Sequence, residues 1–261
     1  MSLPLTPVFL LFLGAIILVA GVVNGLAGFG FGVVATMGLA TVIEPATAVV
    51  FMIIPILAVN LSLVRELSGS QLRTCGQRFG PLLGGALVGM LVGMVVLDSL
   101  PQAPLRVGLG VVTLAFVTSL QQAVPIPGLD RAKAGCFVES PAAMIGVGSV
   151  SGVLFGGTNV GVQLVAYLKS CELPHGLFVG VVAMLFVGLN GVRVATAGAL
   201  GLYPDTTVLA LSVVAAVPAA VGVLGGRKLR SVVTERQRRV AVLGLLTSIG
   251  LRLVLGGLGV V

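Results

Sequence analysis

The sequence predicts an all-α polytopic membrane protein made of two inverted repeats of about five hydrophobic segments each. Three observations carry that prediction: the composition, an echo between the two halves, and the placement of basic residues. Apolar residues make up 57% of the 261-residue chain and charged residues 9%. Between Met1 and Val64 the only formal charge is Glu44. A soluble domain cannot bury that much apolar surface, whereas a bilayer requires it. No Lys or Arg precedes the first apolar stretch and no polar mature domain follows it, so it reads as a retained helix and not as a cleaved signal.

Apolar segments lie near Val8 to Asn24, Gly28 to Ile43, Ala46 to Val64, Gly80 to Leu97 and Leu105 to Leu120. A second series lies near Pro141 to Phe155, Asn159 to Leu168, Pro174 to Val194, Thr206 to Gly225 and Val240 to Leu255. The second and seventh segments fall short of the roughly 20 residues that a helical span needs, so they read as half-helices or re-entrant arms. This divides the chain into a first membrane repeat over 1–120, a cytoplasmic linker over 121–139 and a second membrane repeat over 140–261.

The two series echo one another. "GVVNGLAGFGFG" from Gly21 matches "GSVSGVLFGGTN" from Gly148, with Gly25 opposite Gly152 and Gly30 opposite Gly157. "LAVNLSLVR", ending at Arg65, echoes "VGLNGVRV" around Asn190 and Arg193. Their common order and nearly constant offset point to an internal duplication.

When alternate loops are assigned to two sides, one side receives 12 of the 15 basic residues and the other only Arg106, Arg193 and Arg252. The positive-inside rule makes the first side cytoplasmic. This bias survives only with an odd number of crossings per half, which inverts the second half relative to the first. Cys75, Cys136 and Cys171 all fall on the basic side, as suits three unpaired thiols in a reducing compartment.

Four glycines within eight positions, Gly25, Gly28, Gly30 and Gly32, interrupt the most apolar region of the first half. Interrupted helices at matching positions of inverted repeats expose backbone N–H groups, which are tolerated at membrane depth only where they line a cavity. A helix N-terminus carries partial positive charge and holds an anion without a buried lysine. The breaks near 24–32 and 151–163 are therefore the candidate substrate site. It comprises Asn24, Gly25, Gly28, Gly30 and Gly32 from the first half, with Ser151, Gly156, Gly157, Thr158, Asn159 and Gln163 from the second. Asn190 belongs to the same group, set either along the path or in an interhelical hydrogen bond. So does Arg193, near the outer end of the eighth segment, where it either pairs with an anion in transit or snorkels to the headgroups. The glycines of "GALVG" and "GMLVG", Gly85 to Gly93, read instead as a packing face on which Gly89→Ala would harm transport less than Gly30→Leu or Gly157→Leu.

Other function classes find little to stand on. The net charge of +7 is accounted for by topology signals, so no nucleic-acid partner is expected. The one histidine, His175, falls in a loop, and no paired carboxylates lie inside a segment, so an enzyme has no base and nucleophile at membrane depth. The cysteines have no neighbours at metal-ligand spacing, and no metal or cofactor is expected. Glu44, just before Pro45, is a candidate for proton coupling or simply marks a helix start. A passive anion channel is the alternative to a transporter.

"SGVLFGGTNVGVQLVAYLKSCELPHGLF", followed by "FVGLNGVRVATAGALGLY", resembles the second half of the TauE/SafE family, bacterial membrane proteins associated with export of sulfite and organosulfonate anions. "NGLAGFGFGVV", followed by the Pro-led helix at Pro45, resembles the family's other characteristic stretch. The second break departs from the Gly-Gly-Pro that members often carry: Val160, Gly161 and Val162 stand there without proline. The resemblance implies a transporter in the cell membrane whose partners are a small anion, often sulfur-containing, and the bilayer.

Overall fold

The computed structural model describes residues 6–27, 30–65, 67–120, 140–171, 173–203, 205–229 and 231–259. The expected linker over 121–139, Cys136 and the candidate site residue Gly28 lie outside the described residues. The described regular structure is entirely helical: α1 (Pro7–Ala27), α2 (Phe31–Ala40), α3 (Pro45–Phe51), α4 (Ile53–Val64), α5 (Gly69–Ser99) and α6 (Gln102–Leu120), then α7 (Pro141–Thr158), α8 (Val162–Ser170), α9 (His175–Ala199), α10 (Thr206–Val214), α11 (Ala216–Leu229) and α12 (Glu235–Gly257).

Helix starts follow local chemistry. Ser68 and Thr234 each form a capping box with the glutamine three residues on, Gln71 and Gln237. Ser140 accepts from the Ala143 amide ahead of Pro141, and Asp205 accepts from the Val208 amide. Glu44 occupies the N-cap position of α3, its carboxylate accepting from Thr47 and Gln102.

Seven helical stretches among the described residues are long and apolar enough to cross a membrane, and two of them are jointed. Pro55 has no N–H to offer the Phe51 carbonyl, so the stretch Pro45–Val64 bends between α3 and α4. The Ser212 hydroxyl donates to that freed carbonyl from α10. Pro218 frees the Val214 carbonyl in the same way, where α10 gives way to α11. By contrast α2 and α8, with 10 and 9 residues, reach only about 15 Å, half of a hydrocarbon core.

Three glycine seams hold the bundle together. Along α5 and α7, Leu82 meets Gly148, Ala86 meets Gly152 and Met90 meets Gly156, so the two helices run parallel. Along α1 and α11, Leu18 meets Gly222 and Val22 meets Gly226, again parallel. Along α6 and α12, Ala103 meets Gly257 and Gly110 meets Gly250, so these run antiparallel. Backbones approach this closely only where side chains are missing. The packing role expected for Gly85 to Gly93 is therefore met, and Gly89→Ala carries a packing cost of its own: a Cβ there would run into the Ser149 carbonyl, which is backbone and cannot step aside.

Candidate functional site

The two interruptions are narrower than the sequence suggested. Helix α1 stays helical through Asn24 and Gly25, and α7 through Ser151, Gly156, Gly157 and Thr158. Around the two breaks, the described residues that leave helical geometry are Gly30 and 159–161. Glycine-rich stretches persist as helix here because packing in the seams compensates for their low propensity. At the breaks the backbone turns left-handed. Gly30, ahead of α2, has φ 97°, and Asn159, behind α7, has φ 59°, the single positive-φ residue other than glycine among the described residues. Asparagine tolerates that region better than most side chains do.

The breaks face one another. A Cβ on Gly32 would lie 2.9 Å from the Asn159 carbonyl oxygen, so glycine is what lets the first turn of α2 approach the second break. Between them lies a cavity of about 70 Å³ lined by Gly30, Phe31, Gly32 and Val33 of the first break and Gly161 and Val165 of the second. The walls are completed by Asn24, by Ile56, Val59, Asn60 and Leu63 of α4, by Phe155 and Asn159, and by Val179, Val182 and Phe186 of α9. Both short helices thus present their N-terminal turns, whose first N–H groups have no partner within the helix. Asn24 is buried and makes no hydrogen bond among the described residues, so its amide is available to a ligand. The Asn60 amide donates to the Ile56 carbonyl at 2.8 Å.

Behind the cavity stands Arg193, fully buried on α9. Its Nη1 donates to Asn159 Oδ1 and its Nη2 to the Gly156 carbonyl at 3.0 Å, while its guanidinium lies 5.0 Å from the centre of the Phe155 ring. Its Nε has no partner, and no described acid pairs with it. Snorkelling, one of the two roles expected for it, is therefore not what the structure shows. Asn159 spends its two amide hydrogens on Thr36 Oγ1 at 2.8 Å and the Val49 carbonyl at 2.9 Å. It joins α2, α3, α7 and α9 and has no side-chain donor left for a substrate.

Of the residues expected at the site, Asn24, Gly30, Gly32 and Asn159 line the cavity, and Arg193 backs it. Gly25 sits on the α1–α11 seam and Gly156 on the α5–α7 seam, where a Cβ would strike Val223 and Met90 carbonyls. Gly157 lies 3.4 Å, by the same measure, from the Gly93 carbonyl. Thr158 turns its hydroxyl back to Leu154 and accepts from the Val160 amide, bracing the break from within. Ser151 Oγ, Gln163 Oε1 and Asn190 Oδ1 are buried without partners, and Asn190 Nδ2 donates to the Phe186 carbonyl at 2.8 Å. Residue-type reasoning missed Thr36, the Val49 carbonyl, Phe155 and Phe186, since nothing in their local sequence marks them as neighbours of the breaks.

A family model described as Sulfite exporter TauE/SafE matches residues 13–253, which include both breaks, Arg193 and every span but the ends of the outermost two. The chain belongs to the TauE/SafE family. No curated protein and no solved structure gives a match. Membership in a family of sulfite-exporter type, together with seven apolar helical stretches, makes this a multi-pass membrane protein of transporter class.

Proposed function

We propose that this chain is a secondary transporter that exports small anions, sulfite or an organosulfonate among them, through the cavity between its two breaks. The observation that carries the reading is Arg193. A guanidinium fully removed from solvent, with no described acid beside it, leaves uncompensated positive charge at the wall of a small cavity. An anion in the cavity would offset that charge, and the N-terminal turns of α2 and α8 add to it in sign.

Inverted repeats account for how such a site would change sides. The first helix of each half packs parallel to the fourth hydrophobic segment of the other, α1 on α11 and α7 on α5. The last helices, α6 and α12, are equivalent in the duplication and run antiparallel, as an axis in the membrane plane requires. With the basic loops cytoplasmic, α4 and α9 line the cavity through their cytoplasmic halves, which suits loading from inside. Asn60 lines this cavity, whereas its counterpart Asn190 is buried with Oδ1 unpaired; alternation would exchange their roles.

Flux into proteoliposomes, with and without an imposed proton gradient, tests the proposal over sulfite, sulfoacetate, taurine and inorganic anions. Accumulation against the anion gradient, lost in Arg193→Gln, is expected. Equilibration without accumulation would mark a passive channel, and equal competition by a neutral sugar would rule out an anion site.

A further inference from the structure

The far end of α2 carries a second, separate concentration of positive charge. Arg106 lies near the start of α6 and Arg252 near the end of α12, and the antiparallel seam through Gly110, Gly250 and Gly257 brings these two ends together. With Ala40, Thr41, Leu253 and Gly256 the two arginines line a cavity of about 100 Å³. Since α2 has 10 residues, this cavity stands about 15 Å from the one between the breaks.

Neither arginine is explained by its neighbours. Arg106 Nε is buried without a partner, and no described acid pairs with either guanidinium. The nearest acid on the adjoining turn, Glu44, already accepts from Gln102 at 2.9 Å and Thr47 at 3.3 Å. Capping of α2 is not their task either: the Gly38 carbonyl accepts from the Thr41 hydroxyl at 2.7 Å, and the Leu39 carbonyl from the Val42 and Ile43 amides at 2.9 Å. Two like charges lining one cavity repel one another, and Arg106, half-buried with its Nε shut off from solvent, also loses hydration, while Arg252 stays exposed. A tetrahedral or pyramidal oxyanion between them would reverse both effects, because guanidinium forks match its oxygens in pairs.

We propose that Arg106 and Arg252 form a second binding site for a small oxyanion of the sulfate, sulfite or phosphate class. The site does not depend on which anion is transported. If the transport reading holds, it lies on the side where an exported ion leaves. A lipid headgroup phosphate presents the same chemistry as a free ion, so the test distinguishes the two sources.

The full-length protein in detergent is treated with phenylglyoxal, and modification of each arginine is followed by peptide mass spectrometry. Sulfate at about ten times its Kd should slow modification of Arg106 and Arg252 about tenfold. Chloride at equal ionic strength should not, and the exposed Arg73 should be unaffected by either salt. Slowing in phosphatidylglycerol nanodiscs without sulfate would assign the site to a lipid phosphate. Equal rates under all conditions would overturn the proposal, and this measurement needs no variant to fold. Radiolabelled sulfate binding then separates the two sites. The double variant Arg106→Gln, Arg252→Gln should lose one bound ion and Arg193→Gln a different one. Loss confined to Arg193→Gln would sink the second site and leave the transport reading standing; loss confined to the double variant would do the reverse.

Discussion

Arg193 and Asn159 form one unit: the guanidinium on α9 donates to the Oδ1 of an asparagine held in left-handed backbone at the end of α7. The same asparagine amide donates to Thr36 on α2 and to the Val49 carbonyl on α3, so a single side chain fastens the second break to the first half. Asn159→Leu strands three buried partners at once. It should cost about 3 kcal/mol or more, at roughly 1–3 kcal/mol for each unpaired group, read as a fall in melting temperature in detergent. Asn159→Asp keeps the Arg193 contact but cancels its charge. It also gives up the amide hydrogen that the Val49 carbonyl accepts, so the melting temperature should fall, by less than in Asn159→Leu, and apparent anion affinity should drop about tenfold, equivalent to about 1.4 kcal/mol.

Gly32 is where the two breaks come closest. In Gly32→Ala the added carbon would lie 2.9 Å from the Asn159 carbonyl oxygen and 3.3 Å from Ile56 Cδ1. The side chain of Ile56 can yield, but the carbonyl cannot without moving the break. Anion flux should fall by at least about tenfold while the protein still inserts and purifies normally, since a 1 Å misplacement at a site costs on that order or more. Unchanged flux would show that the close approach of the breaks is dispensable.

The seams and the exposed faces of the same helix should respond differently to one methyl group. Gly84 on α5 has nothing within 4 Å of its would-be Cβ, whereas Gly89, five residues on, abuts the Ser149 backbone. Gly84→Ala should be neutral or stabilising by up to about 1 kcal/mol, and Gly89→Ala should destabilise by about 1–3 kcal/mol. Thermal unfolding of the two purified variants provides the comparison.

Asn60 and Asn190 should exchange accessibility during transport. In a cysteine-free background, Asn60→Cys should react with a thiol reagent added from the cytoplasmic side and Asn190→Cys should not, following the cavity wall. Trapping the opposite state should reverse the pattern. Reaction of both positions from one side at once would favour a continuous pore.

Sidedness itself needs introduced probes. Native Cys75 is buried and Cys171 only half-exposed, its thiol directed at the Tyr167 carbonyl, so neither reports cleanly on its loop. Ser70→Cys and Ser99→Cys sit at exposed positions near the two ends of α5. An impermeant maleimide should label Ser99→Cys in intact cells and Ser70→Cys only in inside-out vesicles. The converse would invert the topology drawn from the basic residues.

What the sequence determined was what local and compositional physics can fix. A chain with 9% charged residues has to sit in lipid, and the spacing of apolar stretches sets which helices can cross. Capping residues and prolines mark where helices start and bend, and the glycine-rich repeats locate both interruptions to within a few residues. Tertiary structure alone decided the rest. Gly25 and Gly156 look in sequence like partners of Gly30 and Gly32, yet they pack against α11 and α5, because a glycine's role depends on which backbone lies opposite it. Asn159 looks like a free donor, yet both its amide hydrogens are taken by residues 123 and 110 positions away. Arg193 looks suited to snorkelling, yet helix packing closes over it, since burial is set by neighbours that the local sequence does not contain. Arg106 and Arg252 meet only because an antiparallel seam aligns the start of one helix with the end of another.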